Sequence, residues 1–374
     1  MVAGVNAHDA KTYRENMQAS TDCLDLLGIS KALLNCRGNY SPAQSGIYWN
    51  LRMLVRHRRQ LVKITTGVKN RIHTLVDLIF PGFLNENKSG IAPFSKCSLL
   101  LMKDKFSVHQ IQRRRSSTLT KLLSRQGVQK PDHCVKKLKQ YATKVLKPPA
   151  QHMVSLQISL NQQIKLLNCL QESIHQLYKE IAHNLAQTQG AFLSSIQGIG
   201  IVLAAGVSAE IGEPAKQKPL TNIVSYSGII QRIKQTGGIH GKIQVKKVGK
   251  RCNHILKDYV VQSASHMGLH GPEELRSDYK RRDAQSQHAD FGIARRYLRM
   301  AMGMMRTSQT YLPKRLRTTQ VEMKKRAAYY LMTWPKLHEK WRSAGALDTA
   351  FAKDMPLGQW RNMIQELYGI ELKL

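Results

Sequence analysis

Seven aliphatic residues, Leu160, Ile164, Leu167, Leu170, Ile174, Leu177 and Ile181, follow one another by steps of four and three, with a single doubled three. An extended strand would scatter such a series over both faces, whereas a helix collects it into one narrow seam. The spacing therefore predicts a long helix between Pro149 and Gln189 that needs an apolar partner along its length. The doubled three is a local stammer in a coiled-coil seam. The seam lasts only about three heptads, so the core helix of a bundle fits the pattern as well.

The second constraint is charge. Fifty-eight Lys and Arg stand against 24 Asp and Glu, a formal net charge of +34, while 42% hydrophobic residues over 374 positions supply enough apolar side chain for a core. A wholly disordered basic tail is thereby excluded, and an anionic partner, most commonly nucleic acid, is expected to offset the repulsion. No run of 18 apolar residues offers a membrane span, and Asp9, Lys11, Arg14 and Glu15 interrupt the first twenty positions, so no signal peptide is read there. Cys23, Cys36, Cys97, Cys134, Cys169 and Cys252 show no CxxC spacing, which reads as reduced cytosolic thiols.

Other helices are legible around the seam. Ser20, Thr21 and Asp22 offer N-cap oxygens to a short amphipathic helix running toward Gly38. From Ile47 to Phe80, apolar residues at helical spacing alternate with Arg52, Arg56, Arg58, Arg59, Lys63, Lys69 and Arg71, until Pro81 and Gly82 end the pattern. Phe83 to Pro131 is irregular, and Gly198 to Gly249 is glycine-rich, where extended or loop structure is expected. Helical patterning returns in Arg295–Met305 and Gln320–Met332, before an amphipathic tail with Trp334, Trp341, Phe351 and Trp360 as anchors.

Three groups of residues have chemistry to offer. Gly198 and Gly200, in Ile196-Gln197-Gly198-Ile199-Gly200, have the form of a turn between two helices; it lets backbone approach a phosphate, although a tight turn without a ligand looks the same. Thr236, in Lys234-Gln235-Thr236-Gly237-Gly238, puts a hydroxyl on a glycine turn ahead of Lys242, Lys246, Lys247, Lys250 and Arg251. A hydroxyl attacks a phosphodiester when its proton is taken and cations offset the charge that develops, yet Thr-Gly-Gly is also an ordinary turn and the basic run an ordinary nucleic-acid contact. Asp22 and Asp25 share one helix face and can hold part of a Mg²⁺ shell, while on physical grounds alone an N-cap and a first-turn acid account for them better.

Taken in order, Thr21-Asp22-Cys23-Leu24-Asp25, the block from Leu51-Arg52 to Phe80-Pro81, Ile196 to Gly200, Ala209-Glu210-Ile211-Gly212, Tyr226-Ser227-Gly228 and Gln235-Thr236-Gly237-Gly238 resemble the IS110/IS116/IS902 transposases along essentially the whole chain. The resemblance implies a RuvC-like (RNase H-like) domain with an Asp-Glu-Asp-Asp metal site and a C-terminal transposase domain with a nucleophilic serine. It implies DNA transposition by strand cleavage and rejoining, with Mg²⁺, with DNA, and with a structured guide RNA from the element. Asp22 and Asp25 match the last two acids of the metal site, and Thr236 stands where the family usually has serine. The first Asp and the Glu belong upstream of this start, so the resemblance leads one to expect an N-terminally truncated RuvC-like remnant, and a catalytically incomplete copy that only binds nucleic acid is the alternative.

The expected fold is mainly α (α+β). A partial RuvC-like domain at 1–95 precedes a helical hairpin or coiled coil at 96–190, an α-rich transposase domain with a helix-hairpin-helix-like segment at 191–312, and a helical extension at 313–374. Arg58, Arg59, Lys69 and Arg71 join the later basic run as expected nucleic-acid contacts. A homo-oligomer and a bacterial cytoplasmic, nucleoid-associated location complete the expectation.

Overall fold

The computed structural model describes residues 3–5, 7–14, 21–35, 39–40, 46–103, 106–149, 152–214, 219–229, 232–235, 243–246, 252–284, 289–313 and 322–346. The fold is mainly α. In chain order the helices are α1 (Ala7–Thr12), α2 (Asp22–Leu34), α3 (Ile47–Ile79), α4 (Glu86–Ser89), α5 (Lys96–Met102), α6 (Val108–Arg113), α7 (Ser116–Arg125) and α8 (Pro131–Lys144). There follow α9 (Met153–Ala186), a 3₁₀ segment (Gln189–Ser195), α10 (Ile201–Ile211), α11 (Leu220–Tyr226), α12 (His254–His270), α13 (Glu273–Ala284), α14 (Ala289–Thr307) and α15 (Glu322–Ser343). Two antiparallel ribbons accompany them: β1 (Ala3–Gly4) with β2 (Asn39–Tyr40), and β3 (Arg232–Gln235) with β4 (Ile243–Lys246), where Arg232 faces Lys246 and Gln235 faces Ile243.

The chain packs as two units, Met1–Val55 with Glu180–Leu374, and Arg56–Lys179, so that both divisions fall inside the long helices α3 and α9. In the second unit the seam residues Leu160, Ile164 and Leu167 are buried in one cluster with Val68, Ile72, Val76 and Ile79 of α3. Pro81 and Gly82 end α3 as the sequence leads one to expect: Gly82 takes φ +72°, and a side chain there would run into the Tyr141 hydroxyl, which donates to the Pro81 carbonyl at 2.9 Å. Phe80, Phe83 and Phe106 build the aromatic centre, with Phe83 edge-on to Phe106 at 4.9 Å.

The stretch expected to be irregular is instead a set of short helices. Asn85, Ser95 and Ser107 cap α4, α5 and α6 through their side-chain oxygens, which accept from Asn87, Ser98 and Gln110 N–H groups. Helices of four to ten residues are too brief to print a 3.6-residue period, so for α4, α5 and α6 the cap is the local signal, and α7 has no side-chain cap.

In the first unit α12 packs against α10, α13 and α14, with the 3₁₀ segment against α10 and α14. Small residues make the close approach possible. A side chain at Gly206 would collide with the Tyr259 ring, and one at Gly190 with Ser208. The glycine-rich stretch, where extended or loop structure is expected, thus holds two helices, α10 and α11, as well as the β3–β4 ribbon. Of the tail anchors, Trp341 is fully buried, the Trp334 side chain is not described, and Phe351 and Trp360 lie outside the described residues.

Candidate functional site

Ile196, Ile199 and Ile201 are buried and pin the turn that carries Gly198 and Gly200. Gly198 takes φ +90°, and a Cβ there would sit 3.0 Å from the His266 carbonyl, so both backbone conformation and space demand glycine. Gly200 is the N-cap of α10, donates no side-chain cap, and has open space where a Cβ would project. The first-turn N–H groups of a helix lack intrahelical partners, and the dipole favours an anion beside them. Backbone, with no side chain in the way, is what this turn presents.

The C-terminal helix braces the turn from its carbonyl side. The Lys340 ammonium donates to the carbonyls of Ser194 and Ile199, and the Trp341 indole N–H donates to Ser194 Oγ at 2.9 Å. Ser195 Oγ accepts from the Tyr311 N–H at 2.7 Å. Burial pushes Lys340 down to about 8. A lysine depressed in the folded state binds fewer protons than the unfolded chain between about 8 and its ordinary value near 10.5, so its part of the stability rises with pH across that window. The melting temperature of the wild type should climb relative to Lys340→Met between pH 7.5 and 10, by an amount equivalent to at most roughly 3 kcal/mol. Parallel pH profiles for the two proteins would contradict this.

Beyond α10, α11 leads to Tyr226, Ser227 and Gly228. Ser227 is fully buried and donates to the Val224 carbonyl at 2.8 Å, Gly228 takes φ +67°, and Arg295 donates to the Ile229 carbonyl at 3.2 Å. The chain then enters β3. Thr236, which follows Gln235 at the end of β3, lies outside the described residues, as do Lys242, Lys247, Lys250 and Arg251; Lys246 ends β4, and its side chain is not described. Where the chain leaves the ribbon, Asn253 caps α12 and joins a polar group around the buried Glu210, a pairing that the sequence did not announce. Its amide donates at 2.8 Å to Glu210 Oε2 and at 2.8 Å to the Tyr226 hydroxyl, while Arg52 lies 3.3 Å from the same Glu210 oxygen.

The four α3 cations do not form one stripe. Arg58 and Lys69 share a face and are partly covered, with the Lys69 ammonium 5.4 Å from the centre of the Phe94 ring, whereas Arg59 and Arg71 project elsewhere and are exposed. The face that carries Arg59 also carries Arg52, Arg56 and Lys63, at steps of four, three and four. That spacing was available in the sequence.

Asp22 and Asp25 stand in the first turn of α2, as expected, but Thr21 is the N-cap, accepting from the Leu24 N–H at 3.4 Å. Asp22 is therefore the first helical residue rather than the cap. Asp25 is ion-paired with Arg14. Among the described residues no three His, Cys, Asp or Glu side chains come together as a metal site. One carboxylate of the pair is thus engaged by a guanidinium.

Two segments of the chain match known sequence families. Residues 1–81 match a DEDD-type IS110 transposase family, and residues 190–280, which contain the glycine turn, the ribbon and the Glu210–Asn253 group, match the transposase family IS116/IS110/IS902. No curated protein matches the chain. The class is that of transposases, proteins that act on DNA. The chain belongs to the IS110/IS116/IS902 family of insertion-sequence transposases. A DEDD-type domain implies a divalent metal cofactor. Among the described residues no helix is long and apolar enough to cross a membrane.

Proposed function

We propose that this chain moves its element by transesterification on DNA, with Thr236 as the nucleophile. The Thr236 oxygen bonds to a backbone phosphorus, the bond from that phosphorus to the leaving deoxyribose oxygen breaks, and that oxygen takes up a proton while the threonine proton passes to solvent. A DNA hydroxyl then reverses the exchange on a new strand, so one phosphodiester replaces another without an external energy source. The observation that carries the reading is the coincidence, inside the matched segment 190–280, of a backbone turn open to phosphate and a ribbon whose first strand ends one residue before Thr236.

Gly198 and Gly200 hold the backbone without reading bases, and Arg58, Arg59, Lys69, Arg71, Lys242, Lys246, Lys247, Lys250 and Arg251 add cationic contacts. Mg²⁺ is the metal this reading assigns, with Asp22 and Asp25 as a partial shell. An element-encoded structured RNA supplies target choice, the active form is a homo-oligomer, and the work is done in the bacterial cytoplasm on nucleoid DNA. The test is a denaturant-stable protein–DNA adduct, formed by the purified chain on a plasmid carrying the intact element together with a transcript of its ends. Absence of any adduct would overturn the reading. The second reading, nucleic-acid binding without catalysis, is favoured by the pairing of Asp25 with Arg14 and by threonine in place of serine.

Either reading requires salt-steep binding. On duplex DNA each neutralised phosphate contributes about −0.9 to the slope of log K against log salt, so the Arg56, Arg59 and Lys63 face alone accounts for a slope of roughly −3. Replacing all three by Gln should flatten the slope by about that amount, measured by fluorescence anisotropy. An unchanged slope would remove this face from the interface.

A further inference from the structure

Glu210 stands in the last turn of α10, its side chain wholly shielded from solvent. A carboxylate survives there only when paired and hydrogen-bonded. Arg52 supplies the charge, reaching both the Glu210 carboxylate at 3.3 Å and its backbone carbonyl at 3.1 Å. Asn253 supplies a further donor, and it does so while using every polar atom of its amide. Its Oδ1 accepts from the Ile255 and Leu256 N–H groups at 3.0 Å each, its Nδ2 donates to Glu210 and to the Tyr226 hydroxyl, and its backbone N–H donates to the Tyr226 carbonyl at 2.7 Å.

Capping α12 asks only for an oxygen, which Ser, Thr or Asp would provide as well. The amide nitrogen is required by the two acceptors, Glu210 and Tyr226. These bonds have a topological meaning. Tyr226 is the last residue of α11 and Asn253 the cap of α12, so the excursion of residues 227–252, which contains β3, Thr236 and β4, leaves and returns at one side chain. The buried carboxylate ties that junction to the end of α10, the helix that begins at the glycine turn.

We infer that Asn253 and Glu210 are positioning residues for strand exchange: they fix the base of the β3–β4 ribbon and, through it, the Thr236 hydroxyl. The inference rests on the reading of Thr236 as nucleophile. Misplacing a reacting group by an ångström costs on the order of a hundredfold in rate while leaving distant binding contacts intact.

The experiment uses the full chain, the plasmid carrying the intact element and the transcript of its ends, and follows three quantities: the rate of adduct formation, DNA affinity and the melting temperature. Asn253→Ser keeps the cap oxygen and removes the amide nitrogen that reaches Glu210 and Tyr226, without adding charge. It should slow adduct formation by roughly a hundredfold with DNA affinity unchanged. Asn253→Asp, which sets a second carboxylate against Glu210, should be slow too, and adding Glu210→Gln should restore most of the rate by exchanging donor and acceptor across the same contact. A wild-type rate in Asn253→Ser would overturn the inference alone, provided that Thr236→Val forms no adduct. A joint fall of rate, affinity and melting temperature, unrepaired by the exchanged pair, would reduce Asn253 to a stability residue and equally overturn it. Adduct formation that persists in Thr236→Val would overturn the nucleophile assignment and the inference with it.

Discussion

Thr236→Val should form no covalent adduct with DNA, while Thr236→Ser should form it at least as fast as the wild type. Valine keeps the branched shape and lacks the oxygen, so the loss reports the nucleophile and little else; removal of a nucleophile typically costs roughly 10⁴-fold or more. Serine keeps the oxygen and frees χ1, which a β-branched side chain restricts. If the threonine methyl imposes an off-rotamer geometry costing about 0.5 to 1.5 kcal/mol, its removal accelerates attack by about 2- to 12-fold. The measurement is a single-turnover time course resolved on a denaturing gel. An active Thr236→Val protein would redirect attention to the neighbouring serines, and there the structure discriminates. Ser227 is buried with its hydroxyl committed to the Val224 carbonyl, whereas Ser225 is exposed.

The ordered run of short motifs made the family legible, and the two matched segments cover the ones at 21–81 and 196–238. What sequence could not show was how residues distant along the chain meet. Glu210 is the one acid in the apolar run Ile201–Ile211, and Asn253 precedes Ile255 and Leu256 as an N-cap can, yet nothing in either pattern announces the other. Pairing across 43 positions is a property of packing, and local spacing carries no trace of it. Lys340 is a sharper case, because a lysine in a basic helix reads as solvated until the carbonyls of Ser194 and Ile199 are found around it. Periodicity failed in another way at 83–131, where short helices end before a repeat is established.

The long helix shows how far periodicity reaches. Seven seam positions follow one rule of spacing, but they are not equally covered: Leu160, Ile164, Leu167 and Ile181 are buried to within 1% exposure and Leu170 to 9%, while Ile174 and Leu177 are only partly covered. Spacing specifies which face is apolar, and it takes a partner to bury that face. The doubled three runs from Ile164 through Leu167 to Leu170, and the half-covered positions begin at the next step, Ile174.

Leu167→Lys and Ile174→Lys should therefore differ sharply, although the sequence treats the two positions alike. At Leu167 a lysine loses the transfer energy of a fully buried side chain, leaves the cluster it shares with Val68, Ile72 and Ile164 poorly packed, and must place an ammonium in that apolar cluster. The first two losses alone amount to about 2 to 5 kcal/mol, and the unpaired charge adds to them. At Ile174 the stem can lie along the helix with its ammonium in water, which keeps the cost to about 1 kcal/mol. Urea denaturation followed by circular dichroism should show the first variant losing helix well before the wild type and the second nearly coincident with it. Equal costs would mean that the seam is buried evenly along its length, as a continuous coiled coil requires, with a further chain covering Ile174 in solution; a Stokes radius falling on Ile174→Lys would identify that chain as a second copy of this protein.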